Sequence, residues 1–354
     1  MIQQPYQSHP EDGQEILRIL ESSAAKGSIE LIYTRRPDAY ASYQKEPGEA
    51  RVFVTRDGDR LVGTAAELIR SVFMDGEIKK AAYLCGLKKD ADHDGSVGFG
   101  PDLLRAMQRD DIDFYYCSVV KENQRVKRMF EKRRRILAME PLCGYTTFIV
   151  SPRVRVKAPK HTFTLRQATS ADWPRLTAFY GAEGRKKDLF PVLDTANLWE
   201  GLSADCFYML MDGEEIVAAA ALWNQTSYKQ YIVKRYGGFM KWARMLNPLL
   251  NALGYIRLPK EDQPLDFPTL SFFLTKHDDE ALYRTFLREI LPIIRKDYGM
   301  FVIGLPEHHA ALKIFQKLPH ISFDTRLYGV TFPWSKQSYS SATADKIFPE
   351  CALL

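Results

Sequence analysis

Cysteine is scarce in this sequence: five residues in 354, odd in number, widely spaced and with no CxxC pair. Cys85, Cys117, Cys143, Cys206 and Cys351 therefore suggest neither a disulfide framework nor a zinc site; no metal is expected, and a reducing cytoplasm is the expected compartment. Long apolar runs are absent as well. The longest, 216–223, has eight residues, well short of the about 20 that cross a bilayer, so no membrane partner is expected. Residues 1–14 contain no basic stretch followed by an apolar one, which argues against a secretory leader. Nor does one sign of charge dominate, since 49 basic residues stand against 44 acidic ones for a net +5. That balance is too mixed for a nucleic-acid coat, and no nucleic-acid partner is expected.

What the chain does have is apolar material for two cores. Hydrophobic residues make up 45% and charged residues 26%, and at about 150 residues per domain the length suits two domains. The two halves are related. Residues 51–68 (RVFVTRDGDRLVGTAAEL) and 206–223 (CFYMLMDGEEIVAAAALW) align without gaps at an offset of 155 and share Asp57/Asp212, Gly58/Gly213, Val62/Val217, Ala65/Ala220 and Ala66/Ala221. Each reads as strand, Asp-Gly turn, strand, because that dipeptide supplies the positive φ a tight hairpin needs. Further on, 115–132 aligns with 300–317 at an offset of 185, with Glu122/Glu307, Phe130/Phe315 and Lys132/Lys317 in common. Both segments read as a short apolar strand running into an amphipathic helix. The offsets differ by 30 residues, which predicts an insertion in the second copy within 224–268. That tract has a helical stretch of its own, 239–253, broken at Pro248; a helix covering the second copy's own sheet is preferred over one lying on a membrane surface. Residues 151–161, rich in proline and base, mark the boundary between copies. The segment 335–346 reads as a mobile tail ending in an apolar tip, 347–354.

Only the first copy has a loop of chemical interest, DADHDGSVGFGPDLL, between an expected strand 80–87 and an expected helix 101–108. Gly95, Gly98 and Gly100 allow main-chain conformations and close approaches that a Cβ would block, and Pro101 suits the first turn of the helix. A glycine loop that opens a helix aims unpaired N–H groups and the positive end of the helix dipole at one point, which suits a pyrophosphate. It has no lysine and serine or threonine of a Walker loop, and GxxGxG is not the dinucleotide fingerprint. The order hairpin, strand, glycine loop, helix, strand, helix resembles the GNAT family of acyl-CoA-dependent N-acyltransferases, here as a tandem pair. That family's loop runs glutamine or arginine, two residues, glycine, one residue, glycine or alanine; Gly98 and Gly100 match it, and Gly95 departs from it.

The resemblance implies an α+β fold of two tandem mixed β-sheets flanked by helices: an acyl-CoA-binding domain over 1–150, a degenerate copy over 161–334, and a tail over 335–354. It implies acetyl-CoA as co-substrate, with Gly95, Ser96, Val97, Gly98, Phe99 and Gly100 around its pyrophosphate. The strand ending at Leu87 is expected along the pantetheine arm, and Asn123 matches an asparagine that often starts the family's next helix. The implied reaction is N-acetyl transfer to a small-molecule or peptide amine by direct attack on the thioester, with oligomeric state open.

Phe130 stands where many members carry the tyrosine that protonates the departing thiolate, so Tyr116 or Cys117 is the candidate replacement. Glu67 is the candidate base for the amine's proton; it ends the strand GTAAEL, and the second copy has Leu222 there. An exposed edge-strand glutamate is the other reading of Glu67, and core or cleft lining the other reading of Tyr116 and Cys117. In the second copy Glu280, Tyr283 and Thr285 fall opposite the three glycines, and an acidic residue there argues against coenzyme A binding by that half. Asp90, Asp92, His93 and Asp94 read as a solvated loop, and His308 and His309 as ordinary helix-start residues. The segment 121–135, with eight basic and two acidic residues, reads either as a solvated helix face or as a screen for the 3′-phosphate of coenzyme A. The tip 347–354 is expected to fold back toward the first domain's cleft. Two rival readings stay open: a non-catalytic protein that binds coenzyme A or a partner on the same scaffold, and a tandem aminoacyl transferase.

Overall fold

The computed structural model describes residues 3–24, 27–95, 101–121, 123, 137–193, 199–253, 255–332 and 344–354. The first half contributes β1 (Tyr6–Gln7), β2 (Ile29–Thr34), β3 (Glu49–Asp57), β4 (Arg60–Met74), β5 (Glu77–Lys89), β6 (Phe114–Val120) and β7 (Ala138–Val150). Its helices include α1 (Gly13–Glu21), α2 (Ala39–Tyr43) and α3 (Pro101–Met107). The second half contributes β8 (Thr164–Gln167), β9 (Phe207–Asp212), β10 (Glu215–Trp223), β11 (Gln230–Tyr236), β12 (Thr269–Thr275), β13 (Phe301–Pro306) and β14 (His320–Thr331). Gly58 and Gly213, at φ +59° and +55°, open the two-residue turns that close β3 on β4 and β9 on β10. The duplicated Asp-Gly signal thus makes a hairpin in both halves. In the first half a further pair, Asp75 and Gly76, both with positive φ, turns β4 directly onto β5. In the second half 224–268 stands at that point.

The fold is α+β, with mixed sheets flanked by helices, and the two sheets are fused into one of twelve strands, ordered β1-β3-β4-β5-β6-β14-β7-β13-β12-β10-β9-β8. Fusion comes from an exchange. Each half runs as an antiparallel meander that ends in a parallel pair, β5 with β6 and β12 with β13. The next strand then leaves its own half: β7 pairs with β13, β14 pairs with β6, and β7 and β14 pair with each other. Each half therefore completes the other's sheet. A separate two-stranded ribbon of β2 and β11 ties the halves a further time.

Side-chain alternation along β4 sends Ala66, Leu68 and Val72 to a core shared with Ile16, Ile19 and Leu20 of α1. Ala65 points to the other side, where Leu103 and Met107 of α3 pack. One expectation needs correction. The insertion does hold a helical stretch broken next to Pro248, as Gly238–Met245 and Asn247–Ala252. It does not bury its apolar face on the sheet, however, because Ala243 and Asn247 point inward and Phe239 is 80% exposed. The apolar tip folds back onto the molecule, with Ile347, Phe348, Ala352 and Leu353 all buried. Residues 333–343, which include the start of the expected tail, lie outside the described residues.

Candidate functional site

β5 and β6 pair only through Ala81–Tyr83 and Phe114–Tyr116. Beyond Tyr83 and Tyr116 the strands part, leaving Leu87 on one and Val120 on the other exposed. β5 is also bulged against β4 at this level, since Ala66 pairs with Cys85 but Thr64 with Lys88, and Gly86 in the bulge has φ +62°. A Cβ on Gly86 would lie 2.7 Å from Tyr43 Oη and 3.4 Å from Ala66 Cβ. Backbone and space both call for glycine there. Tyr43 Oη itself is buried without a hydrogen-bond partner among the described residues. A bulged strand that has lost its neighbour presents main-chain groups that an extended ligand can take up.

Glu67 is not an exposed edge residue: it is wholly buried in β4, between Arg51 of β3 and Leu84 of β5. Arg51 donates to Glu67 Oε2 at 2.9 Å and, through its other terminal nitrogen, to Ala106 O at 2.9 Å, so one guanidinium ties the carboxylate to the end of α3. Oε1 has no partner among the described residues. Burial, only partly offset by the Arg51 charge, pushes the carboxyl up to about 7. Such a group can take a proton near neutral pH. Tyr116 belongs to the opposite face, in the core with Ala66 and Leu68, its ring 5.1 Å from that of Tyr83. Sheet alternation therefore separates Glu67 and Tyr116 by the thickness of the sheet. Cys117 lies on the face away from Tyr116, where burial pushes its thiol up to about 12.

Sequence reading missed a buried charged cluster beside Tyr43. Arg35 stacks 3.8 Å from the Tyr43 ring centroid and donates to Tyr33 Oη at 2.7 Å and to Glu46. Burial opposes ionisation of Glu46, but Lys229, Arg35 and Arg70 together hold its carboxyl below the ordinary value. Burial pulls the Lys229 ammonium down, and its Nζ donates to Ala352 O at 2.9 Å and Leu354 O at 3.2 Å. Arg70 donates to Leu353 O at 3.1 Å, while its Nε and Nη2 have no partner among the described residues. These groups come from the stretches on either side of α2, β4, the segment before β11 and the tail. No local pattern in the sequence unites them.

The second half repeats the architecture with different contents. β12 is bulged against β10, and its parallel pairing with β13 is reduced to Thr269 and Val302. Phe272 in this bulge has φ +55° and is fully buried. Its N–H donates to Glu350 Oε2 at 2.6 Å, and Tyr145 Oη donates to Pro349 O at 3.2 Å. Cys351 Sγ sits so close to Gly304 of β13 that a Cβ there would meet it at 2.6 Å. The tail thus fills the gap between β12 and β13. After β12 only the four residues Lys276–Asp279 precede the helix Glu280–Asp297, where the first half has eleven, 90–100. Asp279 accepts from the N–H groups of Ala281 and Leu282 at 2.6 and 3.1 Å, so a carboxylate already caps that helix.

Gly95 closes the described part of the glycine loop, against His93. Ser96, Val97, Gly98, Phe99 and Gly100 lie outside the described residues, as do 124–136 with Phe130 and most of the basic segment. Asn123 N donates to Val120 O at 2.9 Å, just past the end of β6. Asp90 departs from the solvated-loop reading, because it is buried and held by Arg18 at 2.6 Å and Arg60 at 2.7 Å. His309 stacks 4.7 Å from Phe348 of the tail, and burial pulls its imidazole down to about 3. No group of three or more His, Cys, Asp or Glu among the described residues could hold a metal ion.

No family model matches the sequence, and no curated protein matches it. Solved structures do. The GCN5-related N-acetyltransferase from Anabaena variabilis matches with a TM-score of 0.55 at 11% identity, over 94% of this chain and 73% of that one. Saccharomyces cerevisiae N-myristoyltransferase with bound myristoyl-CoA gives 0.60 at 9% identity, over 98% of this chain and 84% of that one. The same enzyme with myristoyl-CoA and inhibitors gives 0.59 at 9%, over 95% and 81%. Identities this low establish a likeness of fold: the chain has the fold of the GNAT acyltransferases, and the likeness runs over both of its halves.

Proposed function

We propose that the chain is an acyl-CoA-dependent N-acyltransferase whose first half takes the thioester and whose second half is a closed copy. One observation carries the reading: at equivalent bulges, Gly86 faces a parted strand pair, whereas Phe272 is covered by the chain's own tail. The fold likeness supports it, as does the glycine loop that sequence reading places at the start of α3, with acetyl-CoA as the co-substrate. Gly95 to Gly100 hold the pyrophosphate in this reading, and the backbone of β5 from Leu84 to Leu87 runs along the pantetheine arm.

The residues present suit the chemistry. Glu67 accepts the proton of the attacking amine, which must be neutral to react. Main-chain N–H groups of the Gly86 bulge stabilise the oxyanion that forms as nitrogen adds to the thioester carbonyl. When the carbon–sulfur bond breaks, Tyr43 Oη gives its proton to the departing thiolate. Burial pushes the Tyr43 phenol up, so that proton is present at neutral pH. Tyr116, deeper in the same core, is the alternative donor. The base and the acid thus approach from opposite faces of the sheet.

Calorimetry with acetyl-CoA and longer acyl-CoA thioesters tests the binding step, and thiol release with a panel of amines tests turnover. Saturable binding that is lost in Gly98→Trp is the expected result. Absence of heat with every thioester would overturn the proposal.

A further inference from the structure

The helices Gly238–Met245 and Asn247–Ala252 are inverted relative to those of a globular domain. Phe239, Trp242, Met245, Leu246, Leu249 and Leu253 recur at short helical spacing and are 51% to 80% exposed. Their inward side offers Ala243 and Asn247, with Met240 half-buried against the core beneath. That arrangement is built in: Asn247 Nδ2 donates to Ile256 O at 2.7 Å, and its Oδ1 accepts from Leu258 N at 2.9 Å. A contiguous apolar face of this kind marks an interaction site.

Charge decides what covers it. Leu253 and Tyr255 also line an open groove of about 820 Å³ whose other side carries Arg153, Arg155, Arg288 and Arg295. Arg288 is paired with Glu289 at 2.9 Å. Arg153, Arg155 and Arg295 are exposed and form no ion pair among the described residues. Neither 151–161 nor 234–260 contains an aspartate or glutamate. Pairing with a second copy would bury the apolar face but add like charge along the same rim. A layer of acidic headgroups satisfies both features.

We propose that this face docks on an anionic lipid bilayer, with the aromatic and aliphatic side chains entering the interface and the groove arginines meeting acidic headgroups. No helix among the described residues is long and apolar enough to cross a membrane. Contact is therefore with the surface. The proposal is independent of the acyl-transfer reading.

Sedimentation of the full chain with phosphatidylcholine vesicles, with and without about 30% phosphatidylglycerol, tests it. Binding to the anionic vesicles is expected to exceed binding to neutral ones by at least about tenfold, and to fall steeply at about 0.5 M salt. Phe239→Ser with Trp242→Ser should lower anionic-vesicle binding at least about tenfold without lowering the melting temperature, because both side chains are exposed. Arg153→Glu with Arg155→Glu should remove the preference for anionic lipid. Equal binding to both vesicles, or none to either, overturns the proposal. So does concentration-dependent dimerisation that the Phe239/Trp242 variant abolishes in a chain that ignores vesicles, since the face would then belong to a second copy.

Discussion

Gly86 and Phe272 occupy matching bulges in the two halves of the molecule, one beside a parted strand pair and the other beneath the chain's own tail. Both have positive φ, +62° and +55°, so the backbone shape belongs to the bulge and not to glycine. Holding a phenylalanine in that region costs about 1–3 kcal/mol. The second half meets this cost by packing Phe272 among Tyr180, Phe190, Trp199 and Trp223 and by setting Glu350 on its N–H. In the first half a glycine stands at the bulge, and Tyr43 Oη closes to 2.7 Å of where its Cβ would be. Both parallel pairs part beyond their short pairing, β5 from β6 and β12 from β13, and in the proposed reading the side chain at the bulge decides which gap admits the thioester.

The sharpest way to break that contrast is to make the first bulge resemble the second. Gly86→Val places a branched side chain at positive φ and drives a Cβ into Tyr43 Oη, which lies 2.7 Å from its position. Turnover, read as thiol release per amine, is expected to fall at least about a hundredfold in kcat/KM, with the circular dichroism spectrum retained. Survival of turnover would place the thioester elsewhere. A smaller probe leaves the gap open and removes only its hydroxyl. Tyr43→Phe is expected to lower kcat about a hundredfold with KM unchanged, as loss of a general acid does. Tyr116→Phe is the control, and a larger loss there would pass the acid role to Tyr116.

The parts of this comparison that were legible in the sequence are the local ones. Asp57-Gly58 and Asp212-Gly213 announce hairpins because a two-residue turn is decided by its own dihedral angles. The insertion followed from the two offsets. The exchange of β7 and β14 was not legible, since either strand has the pattern to pair at either parallel edge and only the closed sheet selects the partner. Glu67 stood out as a candidate base with an exposed edge position as the other reading, and its burial depends on Arg51 and α3 packing over it. The Arg35, Glu46, Arg70 and Lys229 cluster gave no signal, because its members lie far apart in the chain and meet only when the halves close. The helices of 239–253 were legible as helices, but their apolar stripe faces outward, because a stripe does not say whether the chain's own core or something outside it covers that face.

Glu67 sharpens the comparison through pH, since the second half has Leu222 at its position. With the folded carboxyl raised to about 7, turnover should increase as pH rises through about 7 and the carboxylate forms. Glu67→Gln should flatten that rise and lower the plateau about tenfold. The native state holds this proton more tightly than the unfolded chain. The associated stability is full below the ordinary glutamate range and is lost as pH rises through the folded value. Melting temperatures of the Gln variant at about pH 5 and pH 8 should therefore differ less than those of the parent chain.

The smallest expected effect lies in the closed half. Burial pushes the Glu350 carboxyl up despite the N–H groups of Phe272 and Ala352 that it accepts, so its contribution to stability also declines as pH rises through its folded value. Glu350→Gln keeps an acceptor for Phe272 N without a buried charge. It should lessen the loss of stability on going to neutral pH while leaving acyl-CoA binding unaltered. Glu350→Ala goes further, because it orphans the buried N–H at a cost of about 1–3 kcal/mol and loosens the tail from the second gap. Calorimetry on this variant separates two causes of closure. If the short turn Lys276–Asp279 and its capped helix already rule out a pyrophosphate, loosening the tail adds no second binding event. A second event would mean that the tail alone keeps the copy closed, and that the long glycine loop is dispensable for holding the thioester.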